Sequence, residues 1–163
     1  MDEIEIVGVR TPLRDSKAAL AELHTFARSK GGWAQILDAG RVVGADHVIS
    51  AFEHAQRAIE RGSQKTNSLE VELLLYASGE HQISRAIERV GARAGKPFVL
   101  VLGGGVHPEE VLGKFRWTRD DGVVRPSLRK LRALGFARGE IESAGGHATD
   151  LVLELVARVD LLK

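Results

Sequence analysis

Residues 67–91, Asn-Ser-Leu-Glu-Val-Glu-Leu-Leu-Leu-Tyr-Ala-Ser-Gly-Glu-His-Gln-Ile-Ser-Arg-Ala-Ile-Glu-Arg-Val-Gly, constrain this chain most, because they read as two helices joined by one sharp corner. Asn67 stands where an N-cap is expected and Glu70 lies three residues on, the reciprocal capping pattern that precedes an apolar run. Leu69, Leu73, Tyr76 and Ala77 share one helical stripe, while Val71, Leu74 and Leu75 make the element apolar on most sides, so it is predicted to be buried. Ser78-Gly79 stops that helix, since glycine reaches the left-handed C-cap conformation without a side-chain clash. Ile83, Ala86, Ile87 and Val90 then recur at helical spacing, which predicts a second amphipathic helix ending at Gly91.

A chain of 163 residues, 44% of them hydrophobic, is long enough for one domain with its own core, and a single domain over 1–163 is expected. The 28% of charged residues nearly cancel to a formal +1, so a bulk polyanion is not required as partner and any nucleic-acid contact is local. The absence of cysteine removes disulfides, thiolate catalysis and cysteine-based zinc sites. The start, Met-Asp-Glu-Ile-Glu-Ile, is acidic where a signal peptide is basic, and no apolar run approaches membrane-spanning length; a soluble, cytoplasmic protein without membrane contact is expected.

Along the chain, Ile4, Ile6 and Val9 alternate with Glu3, Glu5 and Gly8 as in a half-buried strand closed by Thr11-Pro12. Asp15 or Ser16 can cap a helix with the stripe Ala19, Leu20, Leu23, Phe26 and Ala27, ended by Gly31-Gly32, and residues 33–39 read as a second strand. Asp46 is placed as the cap of an amphipathic helix with Val48, Ala51, Phe52, Ala55, Ala58 and Ile59 on one face. Residues 97–102 form an uninterrupted apolar run, read as a central strand covered on both faces. Helices interleave with strands. The fold class is therefore α/β, a mixed β-sheet packed with several helices that include the central pair and a C-terminal helix.

The last third carries weaker signals. A short helix starts at Pro108-Glu109-Glu110, a hairpin around Asp121-Gly122 is expected over 115–125, and Pro126 opens a helix with Leu128, Leu131 and Leu134 inward. Residues 150–162 form a final helix whose Leu151, Val152, Leu153, Leu155, Val156, Val159 and Leu162 exceed one core-facing stripe. Either the helix is fully buried, or a second face carrying Leu151, Leu153 and Val156 meets another protein.

Several apparent motifs carry no chemistry of their own. Gly103-Gly104-Gly105 lacks the Gly-Lys-Ser/Thr of a phosphate loop, and Pro108 stands where the last glycine of Gly-x-Gly-x-x-Gly belongs. His47 and His54 lie two turns apart with no third ligand placed nearby, so no metal site is expected. Glu109-Glu110 and Asp120-Asp121 read as helix-start and turn residues. No catalytic residue and no cofactor is assigned. A polar, partly anionic ligand is better served at the corner: Gly79 and the amides after it form a helix-start anion site, His81 and Gln82 can hydrogen-bond, and Ile83 offers an apolar contact. Lys65 and Arg85 are the nearby cations assigned to it, and ordinary solvated charge is the competing explanation.

The pattern Asp46-His47-Val48, Ala51-Phe52-Glu53-His54-Ala55, then residues 70–79 with Gln82-Ile83 and Ala86-Ile87 before Gly91, resembles the small kinase-binding subunit of the KEOPS complex, the family that includes the PRPK-binding protein. The similarity covers residues 36–102 and the closing Leu153-Glu154-Leu155-Val156-Ala157, and is weak over 103–146. The resemblance implies an α/β fold without catalytic activity. It further implies binding to a small atypical kinase and, through it, to the catalytic threonylcarbamoyltransferase subunit. Capture of the single-stranded CCA end of tRNA is implied as well, for modification of the adenosine beside the anticodon. A few unpaired nucleotides need a stacking surface, helix-start donors and a few cations, so a near-neutral chain suits that role. The alternative from another class is a small-molecule or nucleotide-binding enzyme using the turn at Gly103 to His107. A pure scaffold without RNA contact is a third reading.

Overall fold

The computed structural model describes residues 3–163; Met1 and Asp2, part of the acidic start noted above, lie outside the described residues. In chain order the elements are β1 (Ile4–Val9), α1 (Ser16–Ser29), β2 (Trp33–Asp38), α2 (Ala45–Arg61), α3 (Leu69–Ser78), α4 (Ile83–Val90), β3 (Phe98–Gly103), α5 (Pro108–Phe115), α6 (Leu128–Ala133), α7 (Arg138–Ala144), α8 (Asp150–Ala157) and α9 (Val159–Leu162). The class is α/β, as the interleaved periodicities predict. Two compact units divide the chain: one takes the described residues up to Ala39 together with Ala92–Val124, the other Gly40–Gly91 with Arg125–Lys163.

The first unit holds the three-stranded sheet, ordered β1-β3-β2. Every pairing is antiparallel, with Val7 opposite Leu100 and Ile36 opposite the same residue from the other side, so the expected mixed sheet is corrected. β1 and β2 run in the same direction but never pair, because β3 returns between them. Burial of all six residues of β3 explains why that strand is a continuous apolar run. On β1 the core residues are Val7 and Val9, whereas Ile4 and Ile6 are only half-buried on the opposite face. Asp15 caps α1 by accepting the amides of Lys17 and Ala18, and Leu23 and Ala27 seat that helix against the sheet.

No hairpin forms over 115–125. α5 runs to Phe115, Trp117 packs edge-on against Phe98 at 4.9 Å, and a 3₁₀ turn occupies Asp121–Val124. Asp121 accepts the Gly8 amide at 3.0 Å and Asp120 accepts the Gly122 amide at 3.0 Å, so the two carboxylates shape a turn laid against β1 and not a two-residue loop.

The second unit is helical. Ser68, one residue after the predicted Asn67, caps α3 by accepting the Val71 amide at 3.1 Å. Gly44 precedes α2, and Asp46 instead lies in its first turn, where a carboxylate still suits the helix dipole. α2 buries Val48, Ala51, Phe52, Ala55 and Ala58, although Ile59, expected on that face, is exposed. Leu73, Leu75 and Tyr76 of α3 are fully buried, and each contributes roughly 1.5–3 kcal/mol of transfer free energy. Leu131 of α6 and Leu134 just after it are buried, but Leu128 points outward. α7, which the sequence did not announce, buries Ile141 and starts with Glu140 accepting the Ala137 amide at 2.9 Å. The predicted final helix breaks at Arg158 into α8 and α9.

Candidate functional site

The corner is fixed from below. Gly79 adopts φ +75°, its amide donates to Tyr76 O, and the Glu80 amide reaches back to Leu75 O at 3.2 Å, which closes α3 in a left-handed cap. Ser78 Oγ lies 3.1 Å from the Glu80 amide and accepts it as well. His47 holds the last turn: Nδ1 accepts the Val43 amide at 3.0 Å and Nε2–H donates to Ala77 O at 2.8 Å. Burial lowers the His47 pKa to about 4, outweighing the opposing hydrogen bond to Ala77, so the ring is neutral near pH 7.

Above this support α4 begins abruptly. Gln82 is its N-cap residue but makes no side-chain capping bond, which leaves the first-turn amides with open donors. Ala86 and Val90 face inward, while Ile83 and Ile87, grouped with them by sequence periodicity, are 44% and 52% exposed. Four residues apart on one helix, the two isoleucines form an apolar ledge beside exposed Gln82 and Arg85. His81 is half-buried, and its enclosed Nδ1 has no hydrogen-bond partner.

The structure does not bring Lys65 to this corner. The Lys65 amide donates to Glu72 at 3.1 Å at the start of α3, so the ten-residue helix, about 15 Å long, separates it from Gly79. Arg89 stands nearer, yet it is occupied: it meets Glu80 at 3.4 Å and donates to Leu134 O, while Arg41 donates to Arg89 O at 2.8 Å. Arg85 is the assigned cation that remains exposed on α4.

The other assigned surface, on the C-terminal helix, divides. Val156 is wholly buried and belongs to the core, Leu151 and Leu153 are half-buried, and the outward apolar residues are Leu161 at 84% and Leu162 at 49% exposure on α9. A network unseen in the sequence holds α9 in place. Buried Glu72 accepts the Thr66 amide at 2.9 Å, the Thr66 hydroxyl at 2.8 Å and Lys163, whose ammonium also lies 4.5 Å from the centre of the Tyr76 ring. Tyr76 donates its hydroxyl to Asp160, which meets His54 at 2.9 Å, and the His54 ring stacks on Tyr76. Burial pushes the Asp160 carboxyl up, but hydrogen bonds from Tyr76 and His54, with the charges of His54 and Lys163, outweigh it and hold the carboxyl below its ordinary value. His47 and His54 thus both have structural partners.

At the glycine turn, a cleft of about 490 Å³ is lined by Glu3, Glu5, Gly103, Gly104, Gly105 and His107. Two carboxylates and no lysine or arginine line it, and Glu109 and Glu110 occupy the first turn of α5, an arrangement that repels phosphate. A Cβ on Gly103 would fall 2.3 Å from the Trp33 ring, so close packing explains that glycine. Among the described residues no group of three or more metal-ligating side chains occurs, and no helix is long and apolar enough to cross a membrane.

Compared with known proteins, the chain matches the family model described as kinase binding protein CGI-121 over residues 15–118, from just before α1 to just after Trp117. No curated protein matches it. The matched segment contains the whole corner and ends before α6.

Proposed function

We infer the function from the premise that this chain belongs to the CGI-121 family of kinase-binding proteins. It is a non-catalytic subunit of a KEOPS-type assembly that binds the small atypical kinase and presents the single-stranded CCA end of tRNA to the threonylcarbamoyltransferase subunit. The observation that carries the RNA part is the exposed Ile83–Ile87 ledge, set beside Gln82, Arg85 and open helix-start donors on a corner held rigid by Gly79 and His47. Unpaired bases offer π-faces to an apolar ledge, and their phosphates suit helix-start amides and one cation.

Stacked single-stranded bases contribute about 1–3 kcal/mol each, and each neutralised phosphate steepens the salt slope by about 0.7, so binding at this corner is modest and salt-sensitive. The test is a gel shift with complete tRNA and with tRNA lacking its CCA nucleotides, on the native chain and on Gln82→Ala with Ile83→Ala. Loss of most binding on removal of CCA, matched by the double variant at unchanged folding, is expected. Equal affinity for both tRNAs at physiological salt would refute the assignment.

A further inference from the structure

Between Asp121 and Glu140 the sequence carries five cations, Arg125, Arg129, Lys130, Arg132 and Arg138, and not one carboxylate. Since the whole chain has a formal charge of +1, everything outside this segment sums to −4, a strong asymmetry for a nearly neutral protein. The structure places the segment on α6 and its flanks. Arg125, Arg129 and Arg132 are exposed and form no ion pair among the described residues, and Arg138 faces only Glu142, at 3.9 Å on the surface.

The segment is continuous with the corner. Arg89 of α4, one turn beyond Arg85, donates to Leu134 O, and its guanidinium lies against Gly135 immediately after α6. A path of cations therefore leads from Arg85 to Arg132, Arg129 and Arg125 within one compact unit. Arg129 and Arg132 are three residues apart on a helix, with Cβ atoms about 5–6 Å apart, a spacing on the scale of successive phosphates along an RNA strand. No aromatic side chain lies between Arg125 and Arg132, and Phe136 beyond them is half-buried, so the surface suits phosphate contact and not base stacking. Six helical residues with a single outward apolar side chain, Leu128 at 64% exposure, are too little apolar surface for a membrane-lying helix.

We propose that α6 and its flanking arginines are a second RNA-binding surface that grips the sugar-phosphate backbone of the tRNA duplex adjoining the single-stranded end held at the corner. The proposal rests on the RNA reading of that corner. It lies outside the part of the chain that matches the family model.

The test uses Arg129→Glu with Arg132→Glu in the full chain, with three probes: complete tRNA, a short single strand ending in CCA, and vesicles of anionic phospholipid. Complete tRNA should bind roughly tenfold or more weakly at low salt, with the salt slope shallower by about 0.9 for each duplex phosphate that is no longer neutralised. The short strand should bind as it does to the native chain. Unchanged tRNA affinity and salt slope, equal losses on tRNA and the short strand, or a loss confined to vesicle binding would each overturn the proposal. If the native chain ignores the short strand, the corner reading fails. The duplex surface is then judged separately, by whether the double variant still weakens binding of tRNA lacking its CCA end.

Discussion

A Cβ built on Gly79 would lie 2.5 Å from Leu155 Cδ1 and 2.6 Å from Leu155 Cγ, so α8 packs directly onto the residue that turns α3 into α4. Leu155 is buried and cannot swing aside. Two independent effects thus require glycine here: φ +75°, and the close approach of a neighbouring helix. Gly79→Ala should destabilise the protein by about 2–4 kcal/mol, the sum of a left-handed alanine and an overpacked contact. Urea unfolding measures it. In the Leu155→Ala background the same substitution should cost only the conformational part, about 1–2 kcal/mol, and full additivity of the two changes would show that the contact does not matter.

His47 supplies a pH signature. Its pKa is about 4 in the fold against an ordinary 6.5, because burial disfavours the charged ring. Between those values the unfolded chain binds more protons than the native one, so stability is fully present above pH 6.5 and falls by about 3 kcal/mol as the pH drops to 4. Asp160 acts in a separate window: a depressed carboxyl contributes stability above its ordinary 3.8 and loses it only at lower pH. His47→Gln keeps a donor and an acceptor at the Val43 and Ala77 contacts but cannot titrate. Urea midpoints measured from pH 7 to pH 4 should slope for the native chain and run nearly flat for the variant; parallel slopes would remove His47 as the source.

What the sequence made legible follows from the range of each signal. β1, α1, α2 and α4 show periodicity, β3 and α3 show apolar runs of strand and helix length, and the Gly79 cap is a local backbone requirement, so all of these could be read directly. Strand direction could not be, because β3 pairs with partners some ninety and sixty residues away and no local pattern states which way they run. α6 is announced by the spacing of Leu128, Leu131 and Leu134, although Leu128 turns outward, whereas α7 buries Ile141 alone, too little to establish a period. At the corner the residue types were visible but their orientation was not: Ala86 and Ile87 are neighbours in a helical pattern, and packing alone decides that the smaller goes in. Lys65 lies a helix length from Gly79, because it precedes the start of α3 while the corner is at the end of that helix. The Glu72–Lys163 pair joins residues 91 positions apart and had no local signature.

The kinase contact gives the last prediction. The apolar surplus of residues 150–162 resolves into Val152, Leu155, Val156 and Val159 in the core, and Leu161 and Leu162 facing outward on α9. That short helix is held at both ends of its exposed face, by Asp160 to Tyr76 and His54 and by Lys163 to Glu72, so its two leucines are presented by a rigid mount. Preorganised apolar side chains lose little entropy on binding and make good interface anchors. Leu161→Asp with Leu162→Asp should abolish co-purification with the kinase proposed as partner while changing stability by no more than about 0.5 kcal/mol, the usual range for exposed positions. Leu153→Asp, half-buried on α8, should weaken both binding and folding, whereas Val156→Asp should prevent folding, because a carboxylate cannot be desolvated in the core without a partner. Calorimetry on each purified variant, beside a pull-down with the kinase, separates the cases. Full kinase binding by the folded Leu161 and Leu162 double variant would move the interface off α9 altogether.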